Sequence, residues 1–289
     1  MSKCIMVRIT AALSMLAVFF LGYSVWMETS AASLKPAELV QWHVASIGTP
    51  EARVATRNRV VNGTAQIIFR LGGKGQAQGQ GSIVSEGGRI RLQMLFGALE
   101  YTSEDFRFDG SHVYVGFISP GVRSRLGDFV FGNDILLREG LLGGILSTAW
   151  PLLDLDKRQP KLEYTGLKNQ AGRKLHELKY KARKGGGDLQ VWLYFDPETY
   201  RHMRTRYKLV MMAPMATRYD QSSQQLGSTF TLTEDFSDFR VFDGLTLPCV
   251  YRLNLAIEQQ TSAFLSDWSI TVSQIMRNQQ LDPNLFSVR

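Results

Sequence analysis

A hairpin signal in the last third of the chain constrains the fold more than any other feature. Asp243-Gly244 stands between two alternating apolar segments, and a tight type I′ turn needs positive φ at both of its central residues, which Asp-Gly accommodates. Pro248 cannot donate a hydrogen bond to a neighbouring strand, so we expect a strand edge or bulge before Val250. Trp268 to Val272 repeats the same two-residue alternation. This block predicts consecutive antiparallel strands.

Most of the remaining chain has the same rhythm. Glycine or Asp-Gly turn signals bound each segment. In the clearest segment, Ile90 and Leu92 alternate with Arg89 and Arg91. One apolar face and one wet face are typical of an antiparallel sheet covered on one side. Strands are predicted at 64–71, 77–85, 89–96, 101–108, 113–118, 162–167, 174–182, 189–195 and 200–211.

Two segments have helical spacing instead. Pro36 begins an amphipathic pattern over 35–47 that ends at Gly48, and a leucine-rich insertion occupies 123–150. Few helices and many strands predict an α+β, mainly β fold, in which a curved antiparallel sheet curls over a helical layer. The helices are expected to cover its concave apolar face.

The N-terminal segment 1–32 is typical of a secretory signal. Lys3 and Arg8 precede an apolar stretch, and Ser30-Ala31-Ala32 offers the small residues of a cleavage site. We expect cleavage before Ser33, a periplasmic location and a single domain over 33–289. An uncleaved inner-membrane anchor is the alternative, because the apolar stretch approaches the ~20 residues that span a bilayer.

Charge and cysteine content restrict the possible partners. The chain has 33 basic and 26 acidic residues and a net charge of +7. This balance is compatible with docking on an anionic membrane, but the positive residues are spread along strands, which favours ordinary solvated faces. Cys4 would leave with the signal, so Cys249 alone remains and no disulfide is expected. Export also argues against nucleic acid as a partner.

Catalytic and metal motifs are not found in the sequence. There is no Gly-x-Ser-x-Gly, and His176-Glu177 is followed by Tyr180 where a zinc-protease motif needs its second histidine. The histidines lack the spacing of a metal site. Asp235 and Asp238 are interpreted as solvent-facing turn residues. We therefore predict no enzyme activity, no cofactor and no metal.

An apolar sheet face with only two helical segments to cover it predicts a cavity for an apolar ligand. Met211, Met212 and Met215 are the most suggestive residues, because unbranched thioether side chains suit irregular acyl chains. A filled core with methionine as gap filler is the alternative. The candidate lining residues are Leu92, Met94, Phe96, Val115, Phe117, Trp192, Met211, Met212, Met215, Leu253 and Trp268.

These elements, taken in order, resemble the LolA/LolB-type lipoprotein carriers of the bacterial envelope. The resemblance depends on the signal, the helix with Leu39 and Ile47, the 63–69 strand, the Asp109-Gly110 turn, and above all on the blocks 236–248, 268–272 and 281–286. It implies a half-barrel whose mouth is covered by helices.

The same resemblance implies a function. A carrier of this kind is a noncatalytic monomer that sequesters acyl chains of lipoproteins or lipids and meets membrane-bound donor and acceptor proteins. Arg91 and Arg107 are candidates for the family's mouth-closing arginine only by their position on early strands. A structural module of the envelope with a packed interior is the alternative function.

Overall fold

The computed structural model describes residues 34–212 and 227–288. The signal-like segment 1–32 and the candidate Met215 lie outside the described residues. All described residues belong to one compact unit, Leu34–Arg289. Within the described ranges, none of the helices has the length and apolar character that crossing a bilayer requires.

The dominant element is one curved, open sheet of 12 antiparallel strands. The predicted fold class is thus confirmed, with every expected strand present and three long strands in the C-terminal block. The strands are β1 Asn58–Leu71, β2 Gln76–Glu86, β3 Arg89–Ala98, β4 Tyr101–Phe108, β5 Val113–Val115, β6 Lys161–Gln170, β7 Arg173–Lys181, β8 Gln190–Phe195, β9 His202–Met211, β10 Ser228–Phe242, β11 Leu245–Gln259 and β12 Ala263–Arg277.

Two meanders make up this sheet. Strands β1 to β5 follow one another, as do β6 to β12, and the pairing of β1 with β12 joins the two. The predicted turn between β10 and β11 has φ of 47° at Asp243 and 82° at Gly244. β11 begins earlier than expected, at Leu245, but its pairing with β12 starts only at Val250. Pro248 therefore precedes the segment that pairs on that side.

Within the described residues, five short α-helices complete the fold. They are α1 Pro36–Ile47, α2 Pro50–Val54, α3 Arg125–Gly132, α4 Ile135–Arg138 and α5 Leu155–Arg158. α1 begins with proline at its first position and ends at Gly48, where an added Cβ would lie 2.4 Å from the carbonyl oxygen of Gly244. This close approach requires glycine and holds α1 against the β10–β11 turn.

The strand ends form two rims of the sheet. The mouth rim contains the turns 72–75, 99–100, 182–189 and 260–262 and the end of β9. The helical rim contains the turns 87–88, 109–112, 171–172, 196–201 and 243–244, and α1 and α2 lie beside it. The two rims differ in how completely they are covered, and that difference positions the candidate site.

Candidate functional site

The insertion between β5 and β6, residues 125–158, occupies the concave face and is called the plug below. It is a series of short helical pieces rather than one helix, because Gly140, Gly143 and Gly144 have positive φ and interrupt it. The plug backbone touches the sheet closely, since a Cβ on Gly144 would lie 2.5 Å from Phe236 Cζ. Its buried apolar residues include Leu126, Phe129, Val130, Leu136, Leu137, Leu141, Leu142, Ile145, Leu146 and Trp150.

A buried carboxylate on the sheet holds the middle of the plug. Glu234 is fully buried, and its Oε1 accepts hydrogen bonds from the backbone N–H of Gly143 at 2.8 Å and the hydroxyl of Tyr251 at 2.5 Å. Oε2 accepts one from the Tyr207 hydroxyl at 2.5 Å. Burial raises the pKa of Glu234 to about 7, although the three donors oppose this. Glu234 therefore changes charge near neutral pH.

A second buried carboxylate lies where the plug begins. Glu104 on β4 accepts hydrogen bonds from the hydroxyls of Tyr101 and Ser124, and Ser124 is the N-cap of α3. Trp268 Nε1 donates to the Tyr101 hydroxyl oxygen at 2.9 Å. Burial raises the pKa of Glu104 to about 7 as well. The start and the middle of the plug are thus each attached to the sheet through a carboxylate that titrates near neutrality.

Two further side chains of the sheet anchor the end of the plug near the helical rim. Arg59 Nη1 donates to the carbonyl of Ile145 at 2.5 Å, and burial lowers the pKa of Arg59 to about 10. The backbone N–H of Thr148 donates to Ser85 Oγ at 2.8 Å. These contacts satisfy plug backbone groups that a packed interior cannot leave unpaired.

A histidine cluster completes this attachment. His43 Nδ1 donates to the carbonyl of Tyr200 at 3.0 Å, so its Nε2 is free to accept a hydrogen bond from Trp150 Nε1, also at 3.0 Å. The ring of Trp150 stacks on His202 with centroids 4.5 Å apart. Burial lowers the pKa of His43 to about 4 and that of His202 below its usual value. Both histidines are fully buried, so this cluster is closed to a substrate.

An open groove lies between α3 and the mouth-rim ends of β9 to β12, and is called the mouth groove. Its volume is about 560 Å³, within the range of ligand pockets. Phe129 of α3 and Phe230 of β10 stack on each other in its wall, with ring centroids 6.2 Å apart. Arg125 and Asp128 are its charged lining residues, and the apolar side chains that line it are Phe129, Leu209, Met211, Phe230, Ile257, Ala263 and Phe264.

Further exposed apolar side chains lie on the side of the sheet that carries this groove. Leu99 in the β3–β4 turn is 97 % exposed and Met212 after β9 is 84 % exposed. Leu71 and Phe131 are also more than half exposed. Single exposed apolar residues are ordinary, but several on one rim beside an apolar groove indicate an interaction site.

The structure separates the predicted lining residues into different locations. Phe117 packs against Arg123 outside the core, and Trp192 lies on the outer face under Arg206. Met211 lines the mouth groove and Met212 is exposed beside it. The six in the packed core are Leu92, Met94, Phe96, Val115, Leu253 and Trp268.

Several residues of the site escaped sequence reasoning. The sequence does contain a signal for Glu234. It lies two residues from both Leu232 and Phe236, so it shares their inward face of β10. Phe129 and Phe230 have none, because they meet only through the fold. Asp235 pairs with Arg204 on the outer face instead.

The two candidate gating arginines are also on the outer face. Arg91 Nη2 and Arg107 Nη2 both bond to Asp105 Oδ2, at 2.9 Å and 2.5 Å. This shared carboxylate holds them away from the mouth groove.

Comparison with protein-family models finds no match for the chain, and comparison with curated protein sequences finds none either. Comparison with solved structures does find similar folds. A LolA superfamily protein from Nitrosomonas europaea has 12% sequence identity and a TM-score of 0.45, covering 88% of this chain and 98% of that one.

Two other solved structures are similar. An outer membrane lipoprotein-sorting protein domain from Vibrio parahaemolyticus has 10% identity and a TM-score of 0.43, covering 88% of this chain and 97% of its own. A DUF1329 family protein from Desulfovibrio piger has 15% identity and a TM-score of 0.39, covering 88% and 98%. Two of these three structures are of the LolA or lipoprotein-sorting type, to which the sequence elements were expected to be similar.

Proposed function

We propose that the protein is a noncatalytic carrier that sequesters acyl chains of lipoproteins or lipids. The observation that carries this proposal is the mouth groove, an open apolar site of about 560 Å³ on the rim where Leu99 and Met212 are exposed. A site that binds acyl chains needs apolar area more than polar chemistry. Burial of about eight methylenes at ~0.8 kcal/mol each supplies roughly 6 kcal/mol, enough for reversible binding.

An acyl chain in the groove would contact Phe129 and Phe230 among its lining residues. Because the plug fills the space beyond them, a longer chain binds further only by displacing plug residues from the sheet. Such a ligand shifts the plug only if it binds the displaced form better than the filled form. The attachments through Glu104 and Glu234 set the cost of that displacement.

The cellular setting forms part of the same proposal. The segment 1–32 directs export, the single domain 33–289 works as a monomer in the periplasm, and membrane-bound donor and acceptor proteins supply and receive the cargo. The protein uses no cofactor or metal in this role.

A structural module of the envelope is the second candidate. It is favoured by the packed concave face, where Leu92, Met94 and Trp268 are almost fully buried beneath the plug. In this alternative the plug is a permanent part of the core, and the mouth groove holds no ligand.

Native mass spectrometry with lipid extraction distinguishes the two functions. We expect the protein from a periplasmic fraction to carry acylated species, and Met211→Asp to carry much less, because Met211 lines the groove. Val241→Asp is the matched control, an exposed apolar residue of β10 near the helical rim. If the purified protein carries no lipid and does not bind added lipid, the result supports the structural-module function.

A further inference from the structure

A second groove lies on the outer face of the sheet near the mouth rim and is called the basic groove. Its volume is about 590 Å³ and it crosses the strands β6 to β9. Its floor contains Trp192, whose ring lies 4.5 Å from the guanidinium carbon of Arg206. The charged side chains that line it are Lys161, Glu163, Lys179, Lys181 and Asp188.

Positive charge exceeds negative charge around this groove. Lys179 pairs with Glu163 at 3.1 Å. Across residues 34–212 and 227–288, by contrast, Lys161, Lys181 and Lys208 have no ion-pair partner. Lys208 is opposite Gln190, which places it at the border of the groove. Among the described residues, these three lysines and the Asp188 carboxylate of the groove are in no ion pair, so positive charge is in excess on this surface and favours an anionic partner.

The basic groove continues into apolar side chains at the rim. Val210 lines it and is half exposed, and the next two residues of the chain are the exposed Met211 and Met212. Because successive strand residues point to opposite faces, Val210 belongs to the basic groove and Met211 to the mouth groove. The end of β9 thus lies between the basic groove, with its cations and tryptophan, and the exposed apolar side chains of the mouth rim.

We propose that this edge of the protein docks on an anionic lipid surface. Apolar side chains at a rim enter the interfacial layer, while lysines set behind them reach the headgroups. Tryptophan suits the same layer because one end of its ring is apolar and the other can donate a hydrogen bond. An acidic protein partner would pair with the cations but would leave the exposed Met212 without a role. Docking in this way turns the mouth groove toward the lipid.

Vesicle co-sedimentation tests the proposal without any cargo. The probe is a vesicle of phosphatidylcholine with about a third phosphatidylglycerol, compared with phosphatidylcholine alone. The test variant combines Lys161→Gln, Lys181→Gln and Lys208→Gln. The matched control combines Lys168→Gln, Arg173→Gln and Lys174→Gln, which removes the same charge at exposed positions near the helical rim.

We expect the wild-type protein to bind anionic vesicles and to be partly released by high salt, which screens the lysines but not the apolar contacts. The test variant should lose about 100-fold in partition coefficient, since each lysine near the surface contributes roughly fivefold, while the control stays within about threefold. Met212→Ser should weaken the binding that remains at high salt. Circular dichroism verifies that each variant folds.

Three results would overturn docking at this edge. Equal loss in the test and control variants would show that net charge alone attracts the protein. Equal binding to both vesicle types would exclude a role for the lysines. Absence of wild-type binding would exclude a lipid surface and leave an acidic protein partner. The assay scores vesicle binding only, so its failure is distinct from failure of the carrier proposal.

Discussion

The two rims of the sheet are built from similar strand ends but are finished in opposite ways. At the helical rim, Arg53 Nη1 donates to the carbonyls of Val44 and Gly48, at 2.6 Å and 2.8 Å. Asn278 Oδ1 accepts from the backbone N–H of Arg57 at 2.8 Å. At the mouth rim, apolar side chains are exposed around a groove. Hydrogen bonds between helices and strand ends thus characterise the helical rim, where Val54 and Val241 are also exposed, whereas the mouth rim combines exposed apolar side chains with the mouth groove.

The largest expected loss of stability follows from breaking the attachment of the plug to the histidine cluster near the helical rim. Trp150→Ala removes a buried ring that stacks on His202 and donates to His43. We expect the free energy of unfolding to fall by about 3–5 kcal/mol, as for other buried aromatic truncations. Chemical denaturation measures it. Trp42→Ala, at a ring that is 41% exposed, is the control and should cost much less. Similar losses of unfolding free energy in the two variants would contradict a special role of Trp150 in attaching the plug.

The next effect is a pH dependence from Glu234. Its folded-state pKa of about 7 lies above the usual value of 4.5, so the folded state holds the proton more tightly. Its contribution to stability is complete below pH 4.5 and is lost as pH rises through about 7, by on the order of 3 kcal/mol. Glu234→Gln removes this loss.

The difference in unfolding free energy, Glu234→Gln minus wild type, should therefore grow as pH rises from 5 to 8. The lowered pKa of His43 has the opposite effect, a loss of stability as pH falls from 6.5 toward about 4. This loss is common to both proteins and cancels in the difference. A difference that is constant with pH would contradict the buried, titrating carboxylate.

A smaller loss of stability is expected where Asn278 connects the end of β12 to the segment before β1 at the helical rim. Asn278→Ala removes hydrogen bonds to Arg57 and Ala55 and places alanine at φ 54°. Thermal or chemical unfolding should show a loss of about 1–3 kcal/mol. Ser262→Ala in the β11–β12 turn removes one exposed hydrogen bond at the mouth rim and should cost under about 0.5 kcal/mol. A reversed order would contradict the difference between the rims.

The smallest expected effect on stability is at the mouth groove itself. Met211→Asp changes a half-exposed side chain, so the free energy of unfolding should stay within about 0.5 kcal/mol of wild type. Binding of a fluorescent acyl probe should nevertheless fall at least tenfold, because a carboxylate is costly to bury against an acyl chain. Loss of stability without loss of binding would assign Met211 to the core.

The strands could be predicted because their signal is local. Alternation and turn chemistry, as in Asp243-Gly244, depend only on neighbouring residues. The pairing of β1 with β12 could not be predicted, since it joins residues such as Ile67 and Trp268 that are distant in the chain.

The site was less predictable than the fold. A helical cover over the sheet was expected, but the degree to which it fills the concave face depends on packing in three dimensions. The alternation of apolar residues made Leu92 and Trp268 candidates for lining a cavity, but in the structure both are packed into the core. Glu234 could have been noticed from its inward parity, whereas the meeting of Phe129 and Phe230 has no local signal.

Photolabelling can locate an acyl chain that is bound in the mouth groove. A fatty acid with a diazirine at its terminal carbon would be bound, activated and mapped by peptide mass spectrometry. We expect labels on α3 and on the mouth-rim ends of β9 to β11, at residues such as Phe129, Leu209 and Phe230. Labels confined to the helical rim, or no specific label, would contradict this expectation.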